Sequence, residues 1–272
     1  KDIAMQVLGQ MYNFLLKDSK KVINLITATS GDTGAAAIDA VQGKKSINIF
    51  VLHPHNKISS VQRKLMTTYE ASNVFNIAIK GSFDDCQKIV KDMFVDQGFS
   101  NQINMSGVNS INWARIVAQI VYYFYIFFKF NPKNKPITIS VPTGNFGDIY
   151  AGYIAKRMGI NIKELIVATN QNNILERCVN TGQYKPLKVV QSISPSMDIQ
   201  VASNFERILF YLCKEDSKEL SKLMADLVNK GYFDLSNTQL EILRKFFKAS
   251  SCSESETLSI IKDIYEKYKY II

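Results

Sequence analysis

Hydrophobic positions along the chain form short continuous runs that alternate with stretches of helical periodicity. Apolar, β-branched runs of strand length occur at residues 22–26, 47–52, 74–79, 137–141 and 165–168. Between them, apolar residues recur every three or four positions, as at 83–94 and 111–130, and these stretches predict helices. Strands that alternate with helices predict a mostly parallel sheet covered on both faces, which is the α/β class.

The pattern becomes helical from Ser203 onward. Apolar residues at 218–229, 236–248 and 256–268 follow a period near 3.6, so we expect a helical flank after the sheet. The most hydrophobic helix, residues 116–130, contains Gln119 and is shorter than the ~20 apolar residues that a membrane-spanning helix needs. It is therefore predicted to be a buried helix, and we expect no membrane association.

Composition and charge narrow the classes of function. The 272 residues are 46% apolar and 21% charged, which is enough to bury a large core, and the net charge is +9. Because the basic residues are scattered and no zinc-finger or RNA-binding signature is present, we expect an acidic small molecule and no nucleic acid as partner. The four cysteines form no C-x-x-C pair, which argues against a disulfide framework and a zinc site and favours a reducing cytoplasm.

Two small-residue loops follow predicted strands and precede predicted helices, where parallel sheets bind ligands. The loop from Thr27 to Gly34 offers hydroxyls, the carboxylate of Asp32 and backbone donors, a set suited to a carboxylate-bearing substrate. The loop from Gly144 to Asp148 has glycines where the backbone must approach a bound group, so that successive N–H groups can hold a phosphate. Neither loop is a nucleotide-binding fingerprint, and taken singly each is equally compatible with an ordinary helix-capping turn.

A third segment, from Asn109 to Arg115, offers a second place for an anion. Ser110 is suited to cap a helix whose first turn displays Asn112 and Arg115. Taken alone, Arg115 is more often a surface arginine at a helix edge. His53 and His55 form an H-x-H without further ligands at suitable spacing, so no metal site is predicted.

Taken together, these segments resemble the threonine synthase family across nearly the whole chain. Residues 1–6, Lys-Asp-Ile-Ala-Met-Gln, are similar to the motif of the family's cofactor-binding lysine. Residues 28–36 look like its cofactor-ring and substrate loop, 142–148 like its cofactor-phosphate loop, and 109–119 like the segment that binds the substrate phosphate. Residues 194–200 are also similar to a family segment, to which the resemblance assigns no role.

The resemblance implies an enzyme that uses pyridoxal 5'-phosphate to convert O-phospho-L-homoserine and water into L-threonine and phosphate. It implies the fold-type II architecture, similar to the tryptophan synthase β chain, with a smaller α/β domain of residues 20–107 and a larger one of residues 1–19 and 108–272. Since the family carries further segments before Lys1 and after Ile272, we expect the chain to be a fragment of a longer enzyme, monomeric or homodimeric.

Carried onto this sequence, the resemblance implies a role for each motif residue. Lys1 binds the cofactor covalently and, once displaced, moves protons among the α, β and γ carbons of the substrate, which requires that it spend time unprotonated. Asp32, where many fold-type II relatives carry Asn, contacts the ring hydroxyl side of the cofactor. The residues that hold the cofactor phosphate are Gly144, Asn145, Phe146, Gly147 and Asp148. The residues that hold the substrate are Ser30, Thr33, Asn109, Ser110, Asn112 and Arg115.

Other interpretations stay open. A related pyridoxal-phosphate-dependent phospholyase would share the second anion site and stop before water adds. A serine or threonine dehydratase would not need that site, so Arg115 favours a phosphorylated substrate over it. A truncated, non-catalytic relative would keep the fold for binding or assembly and would form no stable covalent link between Lys1 and the cofactor.

Overall fold

A computed structural model describes residues 1–29, 31–131 and 133–271, and describes the backbone but not the side chain of Asp84. The packing of Cα atoms divides the chain into two compact units, residues 1–118 and 119–272. The predicted domains, 20–107 and the combination of 1–19 with 108–272, have different boundaries and stay a prediction. No helix among the described residues combines the length and the apolar character that crossing a membrane requires.

The first unit is built on a four-stranded parallel sheet with the strand order β3-β2-β1-β4. The strands are β1 (Ile23–Ala28), β2 (Ile47–Pro54), β3 (Val74–Ile79) and β4 (Met105–Ser106). The helices are α1 (Asp2–Leu16), α2 (Asp32–Val41), α3 (Ser60–Thr67), α4 (Phe83–Val95) and α5 (Gln97–Gln102). Helix α6 (Trp113–Phe130) begins in this unit and continues into the second.

Helices cover both faces of this sheet. Successive side chains of a strand point to opposite faces, and in β1 this places Leu25 in one hydrophobic cluster and Ile26 in the other. The cluster around Leu25 contains buried residues of α1 and α2, such as Met5 and Ile38, whereas the cluster around Ile26 contains Cys86 of α4. The prediction of a parallel sheet covered on both faces is therefore confirmed for this unit.

The second unit contains a three-stranded parallel sheet, β5-β6-β9, and a two-stranded antiparallel pair, β7-β8. The strands are β5 (Ile137–Pro142), β6 (Ile162–Thr169), β7 (Gln183–Tyr184), β8 (Phe233–Asp234) and β9 (Phe247–Ser251). The helices after α6 are α7 (Gly147–Arg157), α8 (Ile174–Thr181), α9 (Phe205–Leu212), α10 (Ser217–Lys230), α11 (Asn237–Phe246) and α12 (Glu254–Tyr268).

The core of the second unit is aromatic. The ring of Phe146 lies 5.1 Å from that of Phe205 and 5.3 Å from that of Phe247, measured between centroids, and all three side chains are fully buried. Edge-on and tilted ring pairs of this kind add to the stability given by burial alone. Phe146 is also the last residue before α7, so the core fixes the start of that helix.

The carboxy-terminal flank is mainly helical as predicted, but it also contains the strands β8 and β9. The helix predicted at 236–248 ends at Phe246, and the next five residues form β9, which pairs in parallel with β6 from Leu165 to Thr169. The sequence of β9, Phe-Lys-Ala-Ser-Ser, is mostly polar and carries no strand signal. Pairing with β6 and burial of Phe247 decide its conformation, since strand formation depends on context more than on intrinsic preference.

Candidate active site

Lys1 and Asp32 lie side by side in the first unit. Lys1 is the residue that precedes α1, and its side-chain amine, Nζ, is 3.0 Å from Oδ2 of Asp32. Asp32 is the first residue of α2, where the positive end of the helix dipole favours an anionic side chain. The side chains are 34% and 39% exposed, so a ligand can reach both. Lys1, the predicted cofactor lysine, and Asp32, predicted to contact the ring hydroxyl side of the cofactor, are thus in contact with each other.

The loop between β1 and α2 folds around the hydroxyl of Thr29. This buried oxygen accepts hydrogen bonds from the backbone N–H groups of Gly31, at 2.9 Å, and Gly34, at 3.0 Å. Gly31 has a φ of 140°, in the region that favours glycine, and a Cβ there would collide with the amide of Gln62. The candidate Ser30 lies outside the described residues, and the candidate Thr33 is half-buried in the first turn of α2.

Gln62 joins this group and was not predicted. Its Nε2 donates a hydrogen bond of 2.7 Å to Oδ1 of Asp32. Its Oε1 accepts from the hydroxyl of Ser59 at 3.1 Å and from the backbone N–H of Ser59 at 3.4 Å, which completes a capping box at the start of α3. The S-x-x-Q pattern of residues 59–62 signals this cap in the sequence, but nothing in the sequence indicates the contact with Asp32.

The segment after β4 lies at the same edge of the sheet as the loop between β1 and α2. Since β4 pairs in parallel with β1, the carboxyl ends of the two strands lie at one edge. Oδ1 of Asn109 accepts a hydrogen bond of 3.0 Å from the hydroxyl of Thr27, which attaches this segment to the end of β1. The candidate Asn109 is therefore placed beside the loop that leads to Asp32.

Asn112 and Arg115 occupy the start of α6 in a way that corrects two expectations. Helix α6 begins at Trp113, and Asn112 rather than Ser110 caps it, because Oδ1 of Asn112 accepts from the N–H of Ala114 at 3.0 Å. Arg115 is only 5% exposed, so the interpretation as a surface arginine is wrong. Its Nη1 donates to the carbonyl of Val108 at 3.2 Å. Hydrogen bonds to acceptors, or an anion, offset the loss of water around a buried guanidinium.

The loop from Gly144 to Asp148 connects β5 to α7 in the second unit. Its start is tied to β6 by a hydrogen bond of 2.8 Å from the N–H of Thr143 to the carbonyl of Ala168. Phe146 adopts a left-handed conformation, with a φ of 66°, and α7 begins at Gly147. The first N–H groups of a helix have no acceptor within the helix and point along its axis, which is the arrangement that binds phosphate.

Two contacts fix the position of Asp148 and Asn145 in this loop. The hydroxyl of Tyr123 donates a hydrogen bond of 2.7 Å to the backbone carbonyl of Asp148. Burial raises the pKa of Tyr123, so the phenol stays protonated and keeps this donor. On the other side, the carbonyl of Asn145 accepts from the N–H of Asn204 at 3.0 Å. The cofactor-phosphate candidates of this loop are thus held from both α6 and the residue before α9.

The segment at residues 194–200, which had no predicted role, packs against this loop. A Cβ on Gly144 would lie 2.8 Å from Cδ1 of Ile199 and 3.0 Å from the carbonyl oxygen of Ser196. Oδ1 of Asp198 accepts hydrogen bonds from the side chains of Asn170, at 2.8 Å, and Asn172, at 3.0 Å. Since Asn170 directly follows β6, this carboxylate holds the segment at the end of the sheet and against Gly144.

The candidate residues therefore form two groups, one in each unit. The first unit brings together Lys1, Asp32, Gln62 and the segment from Asn109 to Arg115, and the second unit presents the loop from Gly144 to Asp148. His53 is buried, and its pKa is lowered mainly by that burial. Over the described residues, His, Cys, Asp and Glu side chains form no cluster of three or more that could hold a metal ion.

Known proteins are similar to this chain in both sequence and fold. Residues 1–223 match the family model described as pyridoxal-phosphate dependent enzyme. A threonine synthase from Pseudomonas aeruginosa is 44% identical over 265 residues, which are 97% of this chain and 56% of that protein. The crystal structure of a PLP-bound threonine synthase from Brucella melitensis superposes with a TM-score of 0.93 at 44% identity, over 99% of this chain and 58% of that one. These matches confirm the resemblance that the motifs indicate.

The crystal structure of threonine synthase from yeast is similar as well. It superposes with a TM-score of 0.89 at 40% identity, over 99% of this chain and 57% of the yeast chain. The relatives are all longer than the sequence in hand. The chain spans a little more than half the length of these threonine synthases, with shares of 56% to 58%.

Proposed function

The chain belongs to the family of pyridoxal-phosphate-dependent enzymes, and from its similarity to threonine synthases we propose that it is the core of such an enzyme. The reaction would convert O-phospho-L-homoserine and water into L-threonine and phosphate, which is a carbon–oxygen lyase reaction on a phosphate ester followed by hydration. The observation that carries the proposal is the contact of 3.0 Å between Lys1 and Asp32. Asn109 lies at the same edge of the sheet, and Arg115, which follows it along the chain, is buried.

Each unit, taken by itself, has residues that suit one part of pyridoxal phosphate. An accessible amine such as that of Lys1 can, when unprotonated, form and release a covalent link to an aldehyde, and the carboxylate of Asp32 keeps the side chain in place. The helix N-terminus at Gly147 offers backbone donors to a phosphate group, and Gly144 allows the loop to pack against Ile199 and Ser196. When bound, the cofactor withdraws electrons from the carbon atoms of an amino-acid substrate.

Lys1 would carry the proton transfers, and Asp32 would help to position it. Released from the cofactor, the amine of Lys1 would remove a proton from the α carbon and one from the β carbon of the substrate, and it would return a proton to the γ carbon as phosphate leaves that carbon. The hydroxyl of water would then add at the β carbon, and a proton would return to the α carbon. Asp32 would contact the ring hydroxyl side of the cofactor and limit the movement of the amine. The loop from Gly144 to Asp148 would hold the cofactor phosphate.

Arg115 would give the site its preference for a phosphorylated substrate. A guanidinium has a planar set of donors that matches two oxygens of a phosphate, and burial strengthens such a pair. Asn109, Ser110 and Asn112 lie on the same segment and would contact the substrate, together with Thr33 in the first turn of α2 and Ser30, which precedes that helix in the sequence. A net charge of +9 is compatible with a doubly charged substrate.

The setting of the protein is also part of the proposal. We infer a cytoplasmic enzyme that acts on a small molecule, binds no nucleic acid and works as a monomer or homodimer. Four cysteines without a C-x-x-C pair, three of them buried, support a reducing compartment.

The test is the conversion of O-phospho-L-homoserine by the full-length protein with pyridoxal phosphate added, with phosphate and organic products measured in parallel. Equal amounts of threonine and phosphate would support the proposal. Phosphate with a keto acid in place of threonine would indicate a phospholyase. Turnover of serine or threonine but not of the phosphate ester would indicate a dehydratase. No turnover of any of these would favour a non-catalytic relative.

A further inference from the structure

Gln62 is oriented by two different sets of neighbours. Its Oε1 faces the hydroxyl and the backbone N–H of Ser59, and its Nε2 faces Oδ1 of Asp32 at 2.7 Å. Because the N–H of Ser59 can only donate, it selects the oxygen of the amide and turns the nitrogen toward Asp32. The amide therefore has one favourable orientation, in which it donates to the carboxylate.

Asp32 is held at both of its oxygens. Oδ1 accepts from Gln62, and Oδ2 lies 3.0 Å from the amine of Lys1. A carboxylate with one hydrogen-bond partner can rotate about χ1 and χ2 and lose that contact. Partners on both of its oxygens fix the plane of the carboxylate. The second partner comes from α3, an element that none of the sequence motifs includes.

We propose that Gln62 is a positioning residue for the Lys1–Asp32 pair. It acts through Asp32, whose carboxylate it holds toward the amine, and the inference rests on the proposed role of Lys1 as the cofactor lysine. The packing at Gly31 supports it, because the loop residue next to Asp32 has no Cβ and the amide of Gln62 occupies that space. Gln62 would thus set the geometry and the charge felt at Lys1 without contacting the substrate.

The substitution Gln62→Glu separates this role from the helix cap. Glu at this position keeps the capping box, since its carboxylate still accepts from the N–H of Ser59. It cannot donate to Asp32 when ionised, and it adds a negative charge close to Lys1. Gln62→Met removes both the donor and the acceptor and adds no charge. Ser82→Ala is the matched control, because Ser82 forms the same kind of capping box at the start of α4 in the same unit.

The measurement is the visible absorbance of the cofactor bound to the full-length protein, followed against pH, together with thermal unfolding and steady-state kinetics. A nearby negative charge favours the protonated form of the side-chain nitrogen of Lys1. The pH at the midpoint of the absorbance change should therefore rise by about one pH unit in Gln62→Glu. For Gln62→Met, kcat should fall about tenfold with little change in KM. Ser82→Ala should lower Tm by a few degrees and leave the midpoint and kcat unchanged.

Two results would overturn the inference. If both Gln62 variants titrate and turn over as the wild type does, the amide has no role at Lys1. If Ser82→Ala shifts the midpoint and kcat as much as the Gln62 variants do, the changes in all three variants result from lower helix stability. Either result leaves the proposed function intact, provided that the wild type binds the cofactor. A wild type without cofactor absorbance would overturn the proposed function and this inference together.

Discussion

Gly144 and Ile199 pack so closely that a Cβ on the glycine would lie 2.8 Å from Cδ1 of the isoleucine. The carbonyl oxygen of Ser196 is at 3.0 Å from the same point, and a backbone atom cannot move aside as a side-chain end can. The loop between β5 and α7 therefore has its place because residue 144 lacks a side chain. The relationship links the segment at residues 194–200 to the proposed phosphate site.

Replacing Gly144 tests this link. Gly144→Ala should cost about 1–3 kcal/mol of unfolding free energy through overpacking and should weaken cofactor binding as the loop moves. Denaturant unfolding and titration with pyridoxal phosphate measure the two effects. Gly98→Ala is the control, because a Cβ there meets only Oδ1 of Asp96 at 3.3 Å, and alanine is favoured over glycine within α5. Unchanged affinity in Gly144→Ala would contradict the proposed place of the cofactor phosphate.

Asp198 should tolerate even an isosteric replacement poorly. Four donors face its carboxylate, namely the side chains of Asn170, Asn172 and Ser192 and the N–H of Ser192. Asp198→Asn turns an NH2 group toward at least one of these donors, at a cost of roughly 1–3 kcal/mol in unfolding free energy. Asp92→Asn, which removes an exposed pair with Lys88, should cost less than about 1 kcal/mol. Equal costs for the two variants in chemical denaturation would mean that the network contributes little.

His53 makes stability depend on pH. Burial lowers its pKa below the ordinary 6.5, and nearby Arg63 acts in the same direction. The unfolded chain therefore binds the proton more readily, and the contribution of neutral His53 is fully present above about pH 6.5 and lost as the pH falls through the lower, folded-state pKa. In His53→Leu the free energy of unfolding should fall less steeply below pH 6.5 than in the wild type. An unaltered slope in His53→Leu would contradict the assignment.

Arg115 should decide the preference for a phosphorylated substrate. Arg115→Lys keeps the charge but loses the planar, two-point geometry, so kcat/KM for O-phospho-L-homoserine should fall about 10- to 100-fold. Inhibition by inorganic phosphate should weaken in parallel, and this separates lost recognition from lost folding. Arg63→Lys, at an exposed position of α3, serves as the control and should keep the wild-type kinetics. Wild-type phosphate inhibition in Arg115→Lys would place the second anion elsewhere.

The sequence allows the framework of the fold to be predicted because its strands are short apolar runs and its helices have clear periodicity. The runs at 47–52 and 74–79, for example, lie within β2 and β3 as observed. β9 could not be found this way, since Phe247 is its only large apolar residue and its conformation depends on pairing with β6. The local pattern of apolar residues does not indicate which distant strand a segment pairs with.

The candidate site was predictable to the extent that it consists of motifs. Lys1 and Asp32 belong to recognisable segments, and they are in contact. Gln62 and Asp198 were not predicted to act there, because Gln62 contacts Asp32 over a separation of 30 residues and Asp198 contacts Asn172 over a separation of 26. The burial of Arg115 also depends on tertiary packing, so a short sequence window favours the surface interpretation instead.

The covalent link between Lys1 and the cofactor is the central claim, and its location can be measured directly. Reduction of the cofactor-loaded, full-length protein with borohydride, followed by proteolysis and mass spectrometry, identifies the lysine that carries the pyridoxyl group. We expect the label on Lys1 in the wild type, and no labelled peptide in Lys1→Ala. Label on another lysine, or equal labelling of the two proteins, would contradict the account.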